Sequence, residues 1–119
     1  MTIDELKERN RRITRTLQPG ASLSVPYRCL TPKGLHNVLV AGRCISTDRQ
    51  VNGTVRIMAC CLNTGEAAGI AAAMAANDSG DVHIVCVDKL RTTLKRHGGY
   101  LPDLKDVQPV YGLRCQDTN

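Results

Sequence analysis

The chain contains no tryptophan and no phenylalanine, and three tyrosines are its whole aromatic content. Any core must therefore be built from Val, Leu, Ile and Ala. Such a core is thin, as is typical of a piece of a larger domain. With 119 residues there is room for one modest domain, burying roughly two-thirds of its unfolded surface. No stretch reaches the ~18–20 apolar residues that a membrane span needs. The polar opening with Thr2, Asp4 and Glu5 lacks the form of a signal peptide, so the expected location is cytoplasmic and no membrane partner is expected. Zinc-finger spacing is also missing: Cys29, Cys44, Cys60, Cys61, Cys86 and Cys115 form no C-x-x-C pair, and no His stands at ligand spacing from one. Reduced structural thiols are the expectation, because free Cys behaves as a compact hydrophobe. Cys60-Cys61 could form only a strained vicinal disulfide, which disfavours a redox pair.

What is present begins with charge. The net charge is +5, and much of the excess lies in Lys7, Arg9, Arg11, Arg12 and Arg15. A nucleic-acid-binding surface is one reading of that cluster. Without interleaved aromatics, a solvated helix face is the stronger one, and nucleic acid is disfavoured as a partner. Thr2 and Glu5 have capping-box spacing, and Ile3, Leu6, Ile13 and Leu17 give one narrow apolar face, so residues 2–17 are expected to be helical. Pro19-Gly20 ends that helix.

Alternation over residues 23–30 predicts a strand, placed at an edge by Pro26. Val38, Leu39, Val40 and Ala41, stopped by Gly42, read as a buried strand of an α/β sheet. A loop is expected over residues 43–53 and one long helix from Thr54 to Asn77. That helix carries Gly65, Ala68, Gly69, Ala72, Ala73 and Ala76, a stripe with almost no side-chain bulk. Each interior glycine costs about 1 kcal/mol relative to Ala, so the stripe makes sense where a sheet, a helix or a cofactor packs close. Burial against the preceding strand is the expected arrangement. Asn77 to Asp81 is a turn, residues 82–87 a short strand, and Asp88 the cap of a helix from Lys89 to His97, closed by Gly98-Gly99. The expected organisation is a basic helix over residues 1–20, a main portion over 21–102 and a tail over 103–119.

No catalytic constellation assembles from these residues: His36, His83 and His97 stand apart in the sequence. The informative unit is strand, Gly42-Arg43, loop, then the start of the long helix. Unpaired N–H groups and about half a positive charge at a helix start suit an anion or an electron-rich ring edge. The small residues Ala59, Cys60 and Cys61 would let a flat ligand approach the backbone.

Several ordered blocks carry a resemblance. Val25-Pro-Tyr-Arg-Cys-Leu-Thr-Pro-Lys-Gly34 is followed by Asn37-Val-Leu-Val-Ala-Gly-Arg-Cys-Ile-Ser46. Then come Arg56-Ile-Met-Ala-Cys60, Thr64-Gly-Glu-Ala-Ala-Gly69, and Gly98-Gly-Tyr-Leu101. Over roughly residues 23–102 the chain resembles the C-terminal part of bacterial FAD-dependent oxidoreductases, and it is distantly similar to the flavin subunits of heterodisulfide reductases. The resemblance implies an α/β fold: a partial FAD/NAD(P)-binding, Rossmann-like domain, made of strand, loop and long helix with flanking helices. It further implies that Gly42 and Arg43 lie at the ribityl side of FAD, Met58, Ala59, Cys60 and Cys61 near the flavin pyrimidine edge, and Arg56 beside flavin or substrate. The G-x-G-x-x-G loop and its βαβ unit, which hold the pyrophosphate in such proteins, are missing from the sequence. The expectation is thus a C-terminal fragment that closes a flavin site, inactive alone and partnered by an FAD-binding half or subunit. Its small-molecule substrate is open. Relatives include proteins with 4Fe-4S clusters, which the cysteine spacing here does not support. A small basic nucleic-acid-binding or structural interaction module is the alternative.

Overall fold

A computed structural model describes residues 2–5, 24–47 and 49–101. Both the basic residues 7–15 and the tail over 103–119 lie outside the described residues. At the chain start, residues 3–5 are helical. The Thr2 N–H donates to Glu5 Oε2 at 2.7 Å and the Glu5 N–H to Thr2 Oγ1 at 3.3 Å, which is the reciprocal bonding of a capping box.

The described residues are helical, and no strand occurs among them. Helix α1 spans Arg49–Val55, α2 spans Met58–Ala76 and α3 spans Val87–Arg96. Three 3₁₀ turns, Tyr27–Cys29, Gly42–Cys44 and Val82–Ile84, connect them. The strand expected over 23–30 is instead an extended lead through Pro26 into the first turn. Ala41 is extended, but among the described residues no ladder forms over residues 38–41. The Val40 N–H donates to the Leu30 carbonyl at 2.8 Å. Extended backbone becomes a strand only when a neighbour takes its N–H and C=O groups, and no described segment lies alongside. The expected strand over 82–87 is a turn that runs into α3.

The expected long helix is two helices. The first begins within the region read as a loop, and Arg56-Ile57 separate it from α2. Apolar residues surround α2 on all sides, the pattern of a helix that other elements enclose. Its inner face supplies Thr64, Ala71 and Ala75, all buried. One cluster gathers Leu30, Ile45 and Val55 beneath the first half of α2. A second gathers Ala71, Leu90 and Leu94 where α3 crosses its second half. Tyr27 and Leu39 touch both clusters, and the Tyr27 hydroxyl donates to the Val82 carbonyl at 2.7 Å. Burial, and secondarily the charge of Asp81, raises the Tyr27 pKa and keeps that hydroxyl protonated as a donor. Among the described residues no large side chain is fully buried, so the core is as thin as the missing aromatics imply.

Helix α3 ends in a Schellman motif. The Gly98 N–H donates to the Lys95 carbonyl at 3.1 Å and the Gly99 N–H to the Leu94 carbonyl at 2.9 Å. Gly98 sits at φ +91°, a conformation glycine adopts without steric cost. Helix α3 starts two residues earlier than expected: Cys86 is the cap, and Asp88 lies in the first turn, where its charge favours the helix dipole.

Candidate functional site

The predicted site residues converge on the start of α2. Gly42 is buried at φ +61°, opening the 3₁₀ turn that carries Arg43 outward. A Cβ at Gly42 would lie 3.5 Å from both Cβ and Sγ of Cys61, which is ordinary contact. The backbone angle, rather than space, therefore calls for glycine there. Arg43 Nε donates to the Arg56 carbonyl at 3.2 Å. The Cys61 thiol points at the same break, 3.7 Å from the Arg56 carbonyl and 3.8 Å from that of Val55. Gly42, Arg43, Arg56 and Cys61 thus form one connected group.

Met58 and Ala59 begin α2 in the open, Met58 being 78% exposed. Ile57 stands at the N-cap with extended backbone, and no side chain caps the helix. The Cys61 N–H is the first to bond backward, to the Ile57 carbonyl at 3.0 Å. The N–H groups of Met58, Ala59 and Cys60 consequently have no intrahelical partner. Cys60 contributes backbone only, because its side chain packs into the first core cluster. Burial, and then the neighbouring Cys61, raises the Cys60 thiol pKa, which keeps it protonated at neutral pH. Both Cys60 and Cys61 are free thiols, as are Cys29 and Cys44.

Thr64 was not singled out by sequence and proves central. It is the buried polar residue of the core. Its Oγ1 accepts from the Gly42 N–H at 3.0 Å and donates to the Cys60 carbonyl at 2.8 Å, with the Cys61 carbonyl at 3.2 Å. One hydroxyl thereby ties the Arg43 turn to the first turns of α2. The available signal was a Thr inside a helix, where back-bonding to the i−4 carbonyl leaves the oxygen's lone pairs for a second partner.

Most of the small-residue stripe is bare instead of buried against a strand, and Ala68 at its edge is half-buried on the first core cluster. Leu62 is 74% exposed, and Gly65, Gly69, Ala72 and Ala76 are exposed along the same seam. A Cβ added at Gly65 or Gly69 would meet nothing within 4 Å. The buried Thr64, Ala71 and Ala75 lie about 120° around the helix from this line.

A family model described as FAD dependent oxidoreductase matches residues 3–94. The chain belongs to that family. Neither a curated protein nor a solved structure matches it. Among the described residues no helix is long and apolar enough to cross a membrane.

Proposed function

We propose that the chain is the closing wall of an FAD site in a Rossmann-like oxidoreductase, completed by a glycine-rich dinucleotide-binding half. The observation that carries this is the open start of α2. Its unpartnered N–H groups are uncapped, exposed and flanked by Arg43, in a chain whose family uses FAD. FAD, when bound, supplies hydride and electron transfer. The chain's own residues fit one side of such a group: Met58, Ala59 and the Cys60 backbone present donors, and about half a positive charge gathers there. Negative charge at that point is stabilised by fixed dipoles that need no reorganisation, as in an oxyanion hole. Arg43 adds an exposed cation for a phosphate or ribityl neighbour. Arg56 lends its carbonyl to fix Arg43 and leaves its exposed side chain for flavin or substrate. The chain itself supplies no G-x-G-x-x-G loop, so the pyrophosphate must be held by the other half.

The bare seam from Leu62 to Ala76 supports the same arrangement. Spacings of three and four residues put Leu62, Gly65, Gly69, Ala72 and Ala76 on one line, and glycine and alanine permit close approach. The other half covers this line, and residues 38–41 join its sheet, giving the α/β context that the described residues lack alone. This domain is expected to be inactive without that half.

The test is to co-express the chain with a glycine-rich half from the family and measure flavin per mole of purified complex. Near-stoichiometric flavin is expected, reduced at least tenfold in affinity by Arg43→Ala. A complex that forms yet stays colourless would remove the flavin assignment.

A further inference from the structure

His36, Asp81 and His83, separated in sequence and unassigned by the family's chemistry, come together beyond the far end of α2. The ligand atoms they offer all lie within 4.8 Å of one another. Helix α2 is roughly 28 Å long at 1.5 Å per residue, so this cluster is remote from the helix start. We propose that it is a binding site for a divalent transition ion of the zinc class, held by two imidazoles and one carboxylate, with water completing the coordination.

Geometry supports this at each ligand. His36 Nδ1 and Asp81 Oδ2 are 3.3 Å apart. Two ligands on a tetrahedral ion with bonds of about 2.1 Å stand about 3.4 Å apart. The pair is therefore already at coordination separation. His83 Nε2 donates to the Leu35 carbonyl at 2.8 Å, which fixes the proton on Nε2 and leaves Nδ1 with its lone pair. A ligating histidine commonly has its other N–H held by a backbone carbonyl in this way. Asp81 is oriented too: its Oδ1 accepts from the His83 N–H at 2.8 Å, leaving Oδ2 toward His36.

The backbone around the site is fixed independently of any ion. The Val82 N–H donates to the His36 carbonyl at 2.8 Å, and the Tyr27 hydroxyl holds the Val82 carbonyl. The two imidazoles meet edge to face at 5.5 Å between centroids. His36 is 74% exposed at its side chain, so it can swing by the ångström or so that closes the set. Imidazole and carboxylate without thiolate suit zinc and its neighbours rather than calcium or magnesium. Bound there, the ion would pin the loop around His36 to the turn at Val82–Ile84, a structural role distinct from electron transfer.

The full chain, labelled for imidazole NMR, is titrated with Zn²⁺ alone. Reading the imidazoles separates this site from binding at the free thiols. The resonances of His36 and His83 are expected to move together and saturate near one equivalent, with His97 unmoved. His36→Gln, an exposed change that keeps the fold, should weaken the effect on His83 at least tenfold. Asp81→Asn should do the same, and excess Mg²⁺ should not compete. Unmoved His36 and His83 resonances, shifts shared equally by His97, or His83 shifts undiminished in His36→Gln would each overturn the proposal.

Discussion

Thr64→Val is expected to destabilise the chain by about 1–3 kcal/mol, the cost of leaving a buried donor unsatisfied. Valine keeps the branched shape and nearly the same helix propensity, so neither packing nor helix formation should account for the loss. What disappears is the acceptor for the Gly42 N–H, 3.0 Å from Oγ1 in the native protein. Gly42 is buried, so water is not freely available to replace it. Urea unfolding of the full chain measures the difference, and Thr64→Ser should recover most of it. The consequence reaches the site, because the released turn carries Arg43. The assembled flavoprotein should bind FAD less tightly in Thr64→Val, in proportion to how loosely Arg43 is then held. A valine variant as stable as the wild type would show that the turn is positioned by something other than this hydroxyl.

Gly65→Leu should separate stability from assembly. A glycine inside a helix costs about 0.8–1 kcal/mol relative to a good helix former, and a Cβ at Gly65 meets nothing within 4 Å. The isolated chain should therefore become more stable by about 0.5–1 kcal/mol. Association with the dinucleotide-binding half should fall at least tenfold, because the new side chain stands on the seam where close approach is required. Melting curves of the chain and pull-down titrations with the other half read the two effects separately. If Gly65→Leu stabilises the chain and leaves association intact, the bare seam is solvent-facing and the partner docks elsewhere.

Helix signals were legible in the sequence where they were local. The Thr2–Glu5 capping box and the Gly98-Gly99 ending each involve residues within a few positions of one another, and both form as read. The Gly- and Ala-rich helix was legible as well, though its start was not. The break at Arg56-Ile57 arises from a short preceding helix that carries Gly53 and β-branched residues, so propensity gave little warning of it. Strand readings over residues 23–30, 38–41 and 82–87 followed apolar patterning, which records burial and not pairing. In the described residues these segments turn or run extended beside helices. The stripe at Gly65 and Gly69 was read as a place for close packing, and among the described residues nothing lies within 4 Å of a Cβ built at either. The preceding segment packs instead under the neighbouring face of the helix, in the cluster that takes in Ala67 and Ala68.

The site was legible in outline only. Gly42, Arg43, Arg56 and Cys61, which the resemblance set around a flavin, form one connected group, but the residue joining them, Thr64, lies 22 positions from Gly42. The histidines were read as isolated because His36 and His83 are separated by most of the domain. The Val82-to-His36 backbone bond, the His83 bond to the Leu35 carbonyl and the Asp81 carboxylate in the turn after α2 bring them together. None of these contacts leaves a periodic trace in the sequence.

The central claim is that the start of α2 faces the flavin, and backbone NMR tests it most directly. The ¹⁵N-labelled chain is assembled with the unlabelled dinucleotide-binding half, and FAD is added. The account predicts that the amide resonances of Met58, Ala59, Cys60 and Cys61 move furthest, with those of Arg43 and Arg56 following. Flavin that binds while these amides stay still, with the changes confined to α3 or to the turn at Val82–Ile84, would contradict it.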